Sequence, residues 1–169
     1  SDFAILFRTN EQPRLFETEL RRVKLPYRLI GGMSFFDRKE VGDMLAYLQL
    51  LELPQQEVAL LRVINNPPRG IGKATVEALL ARAVESGRPL WDLLSPSPPA
   101  GIPAKAHQAI VSFVGMIEGF RKRLGSAALS DLFRELVDKI GYREELNRLY
   151  PEESEQESRW ASVEEIVNA

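Results

Sequence analysis

Residues 65–75 are rich in proline and glycine and lie between two amphipathic segments. Apolar residues recur at helical spacing on both sides of this stretch: Val58, Leu61 and Ile64 before it, and Val76, Leu79, Leu80, Ala83 and Val84 after it. The pattern predicts a helix, a tight glycine hairpin and a second helix. Because the hairpin determines how the two helices meet, it constrains the fold of this part of the chain strongly.

The same hairpin carries the features of an anion site. Gly70 and Gly72 permit a positive φ and leave room for a close ligand. The backbone amides from Gly70 to Ala74 would point out of the turn at the start of a helix, where the helix dipole attracts anions. Arg69 and Lys73 flank the loop. Two interpretations stay open: a site for a nucleic-acid phosphate, held without base reading, or only a short turn between helices.

Composition excludes several classes of protein. The 169 residues are 44% hydrophobic and 27% charged, which is typical of a globular chain. No apolar run is long enough to span a membrane, and no secretory signal is recognisable. There is no cysteine and only one histidine, which excludes disulfides and thiolate metal sites and disfavours a histidine-based metal site. The net charge of −2 means that nucleic-acid binding needs a local basic patch, for which the candidates are Arg62, Arg69, Lys73, Arg82 and Arg88.

The first part of the chain has a β-α-β pattern. Residues 3–7 form a continuous apolar run, as in a strand buried on both faces, and residues 27–30 resemble a second strand. Thr9 and Gln12 are spaced as a capping box for the helix between them. This order favours two parallel strands joined by a right-handed crossover.

The rest of the chain has helical periodicity. Asp37 and Glu40 are spaced as the cap and third residue of a helix, and only helices are predicted after Pro54. A long helix and a following one, which ends at Gly141, have these core faces: Ala106, Ile110, Phe113, Ile117, Phe120 and Leu124, then Leu129, Leu132, Phe133, Leu136, Val137 and Ile140. Residues 95–101 predict a proline-rich surface loop, and residues 152–157 an acidic loop before a last helix.

The predicted fold class is therefore mainly α. A small α/β (βαβ) piece covers residues 1–46, and a helical domain containing a helix-hairpin-helix-like element covers residues 47–169. Both ends of the sequence are abrupt, so we expect an excised piece of a larger protein.

Arg8 directly follows the first predicted strand. Ligands of open α/β sheets bind at the carboxyl ends of the strands, and a guanidinium suits a phosphate. Phe7 beside it could offer an aromatic face. The alternative is that Phe7 belongs to the core and that Arg8 is a solvated strand end.

Four stretches together resemble the UvrD/Rep/PcrA-type superfamily 1 DNA helicases. Residues 3–10, FAILFRTN, resemble motif IV of that family, and residues 27–41 resemble its PYR-GG-FF-R-EI-D segment. Residues 46–50, AYLQL, and 63–72, VINNPPRGIG, resemble two further family segments in the family's order. The resemblance is specific over residues 3–80, whereas residues 81–169 match mainly in helical character.

The resemblance implies roles for particular residues. Residues 1–46 are similar to the start of the RecA-like motor subdomain 2A, and the rest to most of the helical insertion 2B. Arg8 would reach the γ-phosphate of ATP, and Phe7 would pack on the adenine. In the family the glycine hairpin contacts duplex backbone, which carries over to Gly70, Ile71 and Gly72, with Arg69 and Lys73 as neighbours. Arg38 is a further candidate for a DNA contact, because it follows a predicted cap and should be exposed.

The resemblance also implies the activity of the parent protein: an ATP-dependent 3′–5′ DNA helicase that uses ATP and Mg²⁺, acts on single- and double-stranded DNA in the cytoplasm, and has repair or replication proteins as candidate partners. No G-x-x-x-x-G-K-[ST] stretch or Walker B acid pair is recognisable, so we expect the chain alone to be an inactive monomer without bound cofactor. The alternative is a non-catalytic DNA-binding or protein-interaction module.

Overall fold

The computed structural model describes residues 3–8, 12–30, 34–94 and 101–168, and all regular structure in these ranges is helical. The helices are α1 (Pro13–Arg22), α2 (Lys39–Glu52), α3 (Glu57–Val63), α4 (Lys73–Ser86), α5 (Leu90–Leu93), α6 (Ala104–Arg121), α7 (Leu129–Lys139), α8 (Tyr142–Leu149) and α9 (Glu153–Val167), with a 3₁₀ turn at Phe35–Asp37 before α2. The mainly α prediction is confirmed. No helix in the described part of the chain combines the length and apolar character needed to cross a bilayer.

Helix α2 lies at the centre of the molecule and packs against α3, α6 and α9. The apolar face of α2 belongs to one continuous core. The largest fully buried side chains on this face are Met44, Tyr47, Leu50 and Leu51. The predicted boundary between residues 46 and 47 falls inside this helix. The division into two domains stays a prediction, but the core is continuous across the boundary.

Helices α6 and α7 confirm most of the predicted core positions. The prediction is wrong for Leu124, which follows the end of α6, and for Leu129 at the start of α7, because both side chains are exposed. The buried residues of α6 are Ala106, Ile110, Phe113, Ile117 and Phe120, and those of α7 are Leu132, Phe133, Leu136 and Val137. Gly141 ends this segment with a φ of 66°, a left-handed conformation that glycine adopts without strain.

The acidic stretch 152–157 is not a loop, contrary to the prediction. Helix α9 begins at Glu153, with Glu153 and Glu155 in its first turn. Carboxylates are favoured there because they interact with the positive end of the helix dipole. Glu155 also accepts hydrogen bonds from Arg159 one turn later, at 2.7 Å from Nη2. The negative charge of residues 152–157 suggested a loop, but the helix dipole and the bond to Arg159 stabilise a helix there.

The two predicted strands are absent from the described residues. Residues 3–7 and 25–30 are irregular, and Phe3, Leu6 and Ile30 are almost fully exposed. An apolar run forms a buried strand only where other strands supply hydrogen-bond partners on its edges, and the described residues supply none. The βαβ prediction is therefore wrong for this structure. Thr9, part of the predicted capping box, lies outside the described residues.

The prediction of Asp37 as the cap of α2 is also wrong, because the helix begins one residue later and Arg38 is its N-cap. Arg38 Nη1 donates to Ser162 Oγ at 2.7 Å. Glu40, almost fully buried, accepts from Arg159 Nη1 at 2.7 Å. These bonds fix the start of α2 to α9 across the core.

Candidate nucleic-acid interface

Residues 64–72, where the hairpin is predicted, connect α3 to α4, and the two glycines of this segment differ. Gly70 has a φ of 91°, which L-amino acids with a side chain rarely adopt, whereas Gly72 has a φ of −71° in extended backbone and is the N-cap of α4. Both glycines permit a positive φ, but only Gly70 adopts one. A Cβ on either residue would meet no atom within 4 Å. The hairpin therefore presents open backbone at both glycines.

The side chain of Asn65 shapes the hairpin from inside. Its Oδ1 accepts hydrogen bonds from the backbone amides of Arg69 at 2.9 Å and Ile71 at 3.1 Å. The Ile71 side chain is buried in the core. Within the described residues, no acceptor contacts the amides of Gly70, Gly72, Lys73 and Ala74. Four of the five predicted amides thus remain available for a ligand, and Ile71 is the exception.

Arg69 points into the protein rather than outward. Its Nη1 donates to the carbonyls of Val63 at 2.7 Å and Ile64 at 3.0 Å, and so caps the end of α3. Its Nη2 donates to Tyr47 Oη at 2.8 Å, and its guanidinium lies 4.8 Å from the ring centroid of Phe113 on α6. A phosphate contact by the Arg69 side chain therefore stays a prediction that these internal bonds do not favour.

Tyr47 connects the hairpin to the central helix. It is fully buried, and its hydroxyl donates to the carbonyl of Asn66 at 2.7 Å while accepting from Arg69. Burial raises the pKa of this hydroxyl, and the nearby Arg69 charge offsets only part of that rise. Tyr47 is therefore a neutral donor at physiological pH. The Asn66–Pro67 peptide bond next to it is cis.

Asp43 forms the second support of the hairpin. Its side chain is 2% exposed. Oδ2 accepts hydrogen bonds at 2.7 Å from each of Lys39 Nζ, Asn66 Nδ2 and Tyr142 Oη, and Oδ1 accepts from Arg62 Nε at 2.8 Å. The carboxylate thus connects α2 with α3, the hairpin and α8.

Two opposing effects set the ionisation of Asp43. Burial raises the pKa of the carboxyl, but the hydrogen bonds and the Lys39 charge outweigh burial and hold the pKa below its usual value. Burial, together with the carboxylate, also raises the pKa of Tyr142 far above its ordinary value. Asp43 is therefore ionised and Tyr142 neutral at physiological pH.

The predicted basic patch is less open than its sequence suggests. Arg62 is bound to Asp43 and to the carbonyl of Lys39, and Arg88 Nη2 donates to the carbonyl of Asp92 at 3.1 Å. Lys73 is 90% exposed, and its Nζ lies 3.7 Å from a carboxylate oxygen of Glu77. An exposed pair of that length contributes little to stability, so the Lys73 ammonium remains accessible to an anion.

The other predicted site residues lie apart from the hairpin. Arg38 was expected to be exposed, but it is half-buried against Ser162. Phe7 is partly exposed and packs on Phe16, with ring centroids 5.9 Å apart. The Arg8 side chain is exposed, and the Arg8 backbone amide donates to Gln12 Oε1 at 2.9 Å. The Arg8 guanidinium and part of the Phe7 ring are thus both accessible to solvent.

The hairpin and the motif around Arg8 both lie within one region of family similarity. The family model described as the UvrD-like helicase C-terminal domain matches residues 1–102. The chain belongs to the UvrD-like helicase family. The resemblance found in its motifs is thereby confirmed.

Curated relatives of this UvrD-like chain are ATP-dependent DNA helicases named PcrA. The Bacillus subtilis (strain 168) protein is 35% identical over 168 residues, which is 99% of this chain and 22% of that protein. The Staphylococcus epidermidis (RP62A) protein is 34% identical over 168 residues, and the Staphylococcus aureus (COL) protein 33% over 167, each with 99% of this chain and 23% of the relative covered. The chain thus spans less than a quarter of the length of these relatives.

The polar residues that support the hairpin in this UvrD-like chain were not identified from sequence. Tyr47 and Asp43 have no spacing that marks them as partners of the hairpin, because their contacts join separate elements. One signal was present: asparagine often accepts backbone amides in turns, and Asn65 precedes a proline- and glycine-rich loop. No three His, Asp or Glu side chains within the described ranges are placed to hold a metal ion.

Proposed function

We propose that this chain is part of an ATP-dependent 3′–5′ DNA helicase and that its hairpin contacts the duplex backbone. The proposal rests on four backbone amides that have no acceptor among the described residues, at Gly70, Gly72, Lys73 and Ala74, next to the exposed Lys73 ammonium. Three of these residues lie at the start of α4, where the helix dipole adds positive potential. Phosphate oxygens suit such a site, because backbone amides and an ammonium bind the DNA backbone without reading bases.

ATP, with Mg²⁺, would bind the intact protein near Phe7 and Arg8. The nucleotide supplies the phosphoryl group whose hydrolysis drives translocation. Phe7 would pack on the base, and the exposed Arg8 guanidinium would neutralise charge that develops on the γ-phosphate. The relatives' printed name, ATP-dependent DNA helicase, supports this part of the proposal. The phosphate cradle would come from outside this sequence.

The test of the duplex contact is a titration of the isotopically labelled chain with duplex DNA at low salt, followed by amide resonances. The amides at residues 70 and 72–74 should shift first, with an affinity of about 10⁻⁴ to 10⁻⁶ M that weakens steeply with salt and does not depend on sequence. Lys73→Ala should lower the salt slope by about one. Glu77→Gln is a matched control, because it removes the neighbouring charge without removing a cation.

The second candidate function is a protein-interaction module. Exposed apolar side chains on α3 and α4, Val58 and Val84, favour it. If duplex DNA shifts resonances elsewhere and leaves residues 69–75 unchanged, the hairpin is only a turn, and this candidate replaces duplex binding.

A further inference from the structure

We infer that Arg69 and Tyr47 are positioning residues, which hold the hairpin in the shape that leaves its amides open, and that neither touches DNA. The inference rests on the proposed duplex contact, and it assigns Arg69, the charged residue next to the glycines, an internal role instead of a phosphate contact. An arginine beside a phosphate-binding loop is expected to bind phosphate, whereas this guanidinium is committed to the protein.

The geometry of Arg69 supports an internal role at three points. Its Nη1 binds the last two carbonyls before the hairpin, at Val63 and Ile64. Its Nη2 donates to Tyr47 on α2, and its Cζ atom lies 4.8 Å from the ring centroid of Phe113 on α6. These bonds bring three helices to the root of one loop. The planar fork of arginine supplies both nitrogens at once, which the single ammonium of lysine does not.

Tyr47 completes this arrangement from the other side. Its hydroxyl donates to Asn66 O at 2.7 Å and accepts from Arg69 at 2.8 Å, so it fixes both ends of the turn relative to α2. Because Tyr47 is fully buried, its side chain cannot meet DNA in this fold. Any effect of its hydroxyl on DNA binding must therefore act through the position of the hairpin.

Arg69 and Asn65 together determine which backbone amides of the hairpin remain accessible to a ligand. When Arg69 is held against Val63 and Ile64, its own amide and that of Ile71 lie at 2.9 and 3.1 Å from Asn65 Oδ1. The two inward amides alternate with the outward Gly70 and Gly72. A hairpin released from Arg69 would let these amides exchange roles, and the open set would no longer be fixed.

The test compares Arg69→Lys, Arg69→Ala, Tyr47→Phe and Lys73→Ala in duplex titrations across a range of salt concentrations. A positioning role predicts that Arg69→Lys and Tyr47→Phe both weaken binding by about five- to tenfold, the effect of one lost hydrogen bond. Neither should change the slope of affinity against salt, because no charge is lost. Arg69→Ala should also keep the slope, whereas Lys73→Ala should lower it by about one.

A direct phosphate contact predicts the reverse pattern. Arg69→Lys would then bind almost as the native chain does, and Arg69→Ala would lower the salt slope by about one. That result, or native affinity in Tyr47→Phe, overturns the inference. Faster hydrogen exchange at the Arg69 and Ile71 amides of Tyr47→Phe would support it, with a melting curve to exclude global unfolding. Loss of the proposed function itself is distinguishable, because the native chain would then show no shift at residues 70–74.

Discussion

Replacing Asp43 with asparagine tests the buried polar cluster that supports the hairpin. The substitution keeps the size of the side chain and removes one charge and one acceptor. In the native chain, Oδ2 accepts from three donors and Oδ1 from Arg62. An asparagine that keeps its oxygen towards the three donors must turn its NH₂ group towards Arg62, so that two donors face each other. The favoured outcome is loss of the Arg62 bond and weaker bonds to the remaining donors.

The expected loss of stability follows from the exposure of the partners. Removing one member of a buried ion pair costs about 3–5 kcal/mol. Lys39 and Arg62 are each 43% exposed and can turn to water, so each contributes at most about 1 kcal/mol. Tyr142 is fully buried and has no such escape, and weakening of its bond to a charged acceptor costs about 1 kcal/mol more. We therefore expect the free energy of unfolding to fall by about 2–4 kcal/mol.

Urea denaturation at pH 7 measures this change through the midpoint and the slope m. The matched control is Asp131→Asn, the same substitution in an exposed pair with Arg134 at 3.4 Å, which should stay within about 0.5 kcal/mol. A midpoint shift for Asp43→Asn no larger than that of the control would refute the view that this cluster stabilises the fold.

The effect of Asp43 should also depend on pH. Its pKa is lower in the folded chain than in the unfolded chain. Such a group stabilises the fold fully above its unfolded pKa of about 3.9, and the stabilisation is lost as the pH falls through the folded pKa. The difference between native chain and Asp43→Asn should therefore be constant between about pH 5 and 8 and shrink below about pH 4. A difference that grows on acidification would contradict the assigned charge state.

Further predictions concern three glycines, Arg8 and the isolated chain. Gly70→Ala should lower the free energy of unfolding by about 1–2 kcal/mol, because its φ of 91° strains any side chain, while Gly72→Ala should change it by less than about 0.5 kcal/mol, as thermal melts of the two will show. A Cβ at Gly42 would overlap the Arg62 guanidinium, so Gly42→Ala should stabilise only in an Arg62→Ala background, by about 1 kcal/mol in a double-mutant cycle. Arg8→Ala in the intact protein should reduce DNA-stimulated ATP turnover by a factor on the order of 10³, and near-normal kcat would reject the assignment. The purified chain alone should hydrolyse no ATP, which a phosphate-release assay checks.

Periodicity predicted the helical core well because burial there depends on a repeating local pattern. The faces of α6 and α7 are examples, since each buried position is set by its spacing along one helix. The prediction of strands at residues 3–7 and 27–30 was wrong for the opposite reason. A strand takes its hydrogen bonds from other segments, and the apolar run shows only that burial would be favourable, not that partners are present.

In the candidate site too, residues with a local sequence signal could be predicted, and residues whose contacts come from other helices could not. Gly70, Gly72 and Lys73 are visible in the sequence because a glycine-rich loop before a helix has a local physical meaning. The position of Arg69 beside that loop predicts a phosphate contact. In the structure its side chain points into the protein instead, so its place in the sequence does not determine where the side chain points. Its partners Tyr47 and Phe113 come from α2 and α6, and nothing local to the loop indicates them.

Polar contacts fix the backbone of the hairpin for a physical reason, although the Ile71 side chain also packs in the core. A loop that offers backbone amides to a ligand must leave them without internal acceptors, and unpaired amides favour any rearrangement that would satisfy them. Apolar packing is not directional and would not prevent such a rearrangement. Directed bonds do, because Asn65 accepts two specific amides and Arg69 holds two specific carbonyls. The internal bonds of Asn65 and Arg69 thus determine which amides face outward. We therefore expect these internal contacts to affect DNA binding, although neither side chain touches a phosphate.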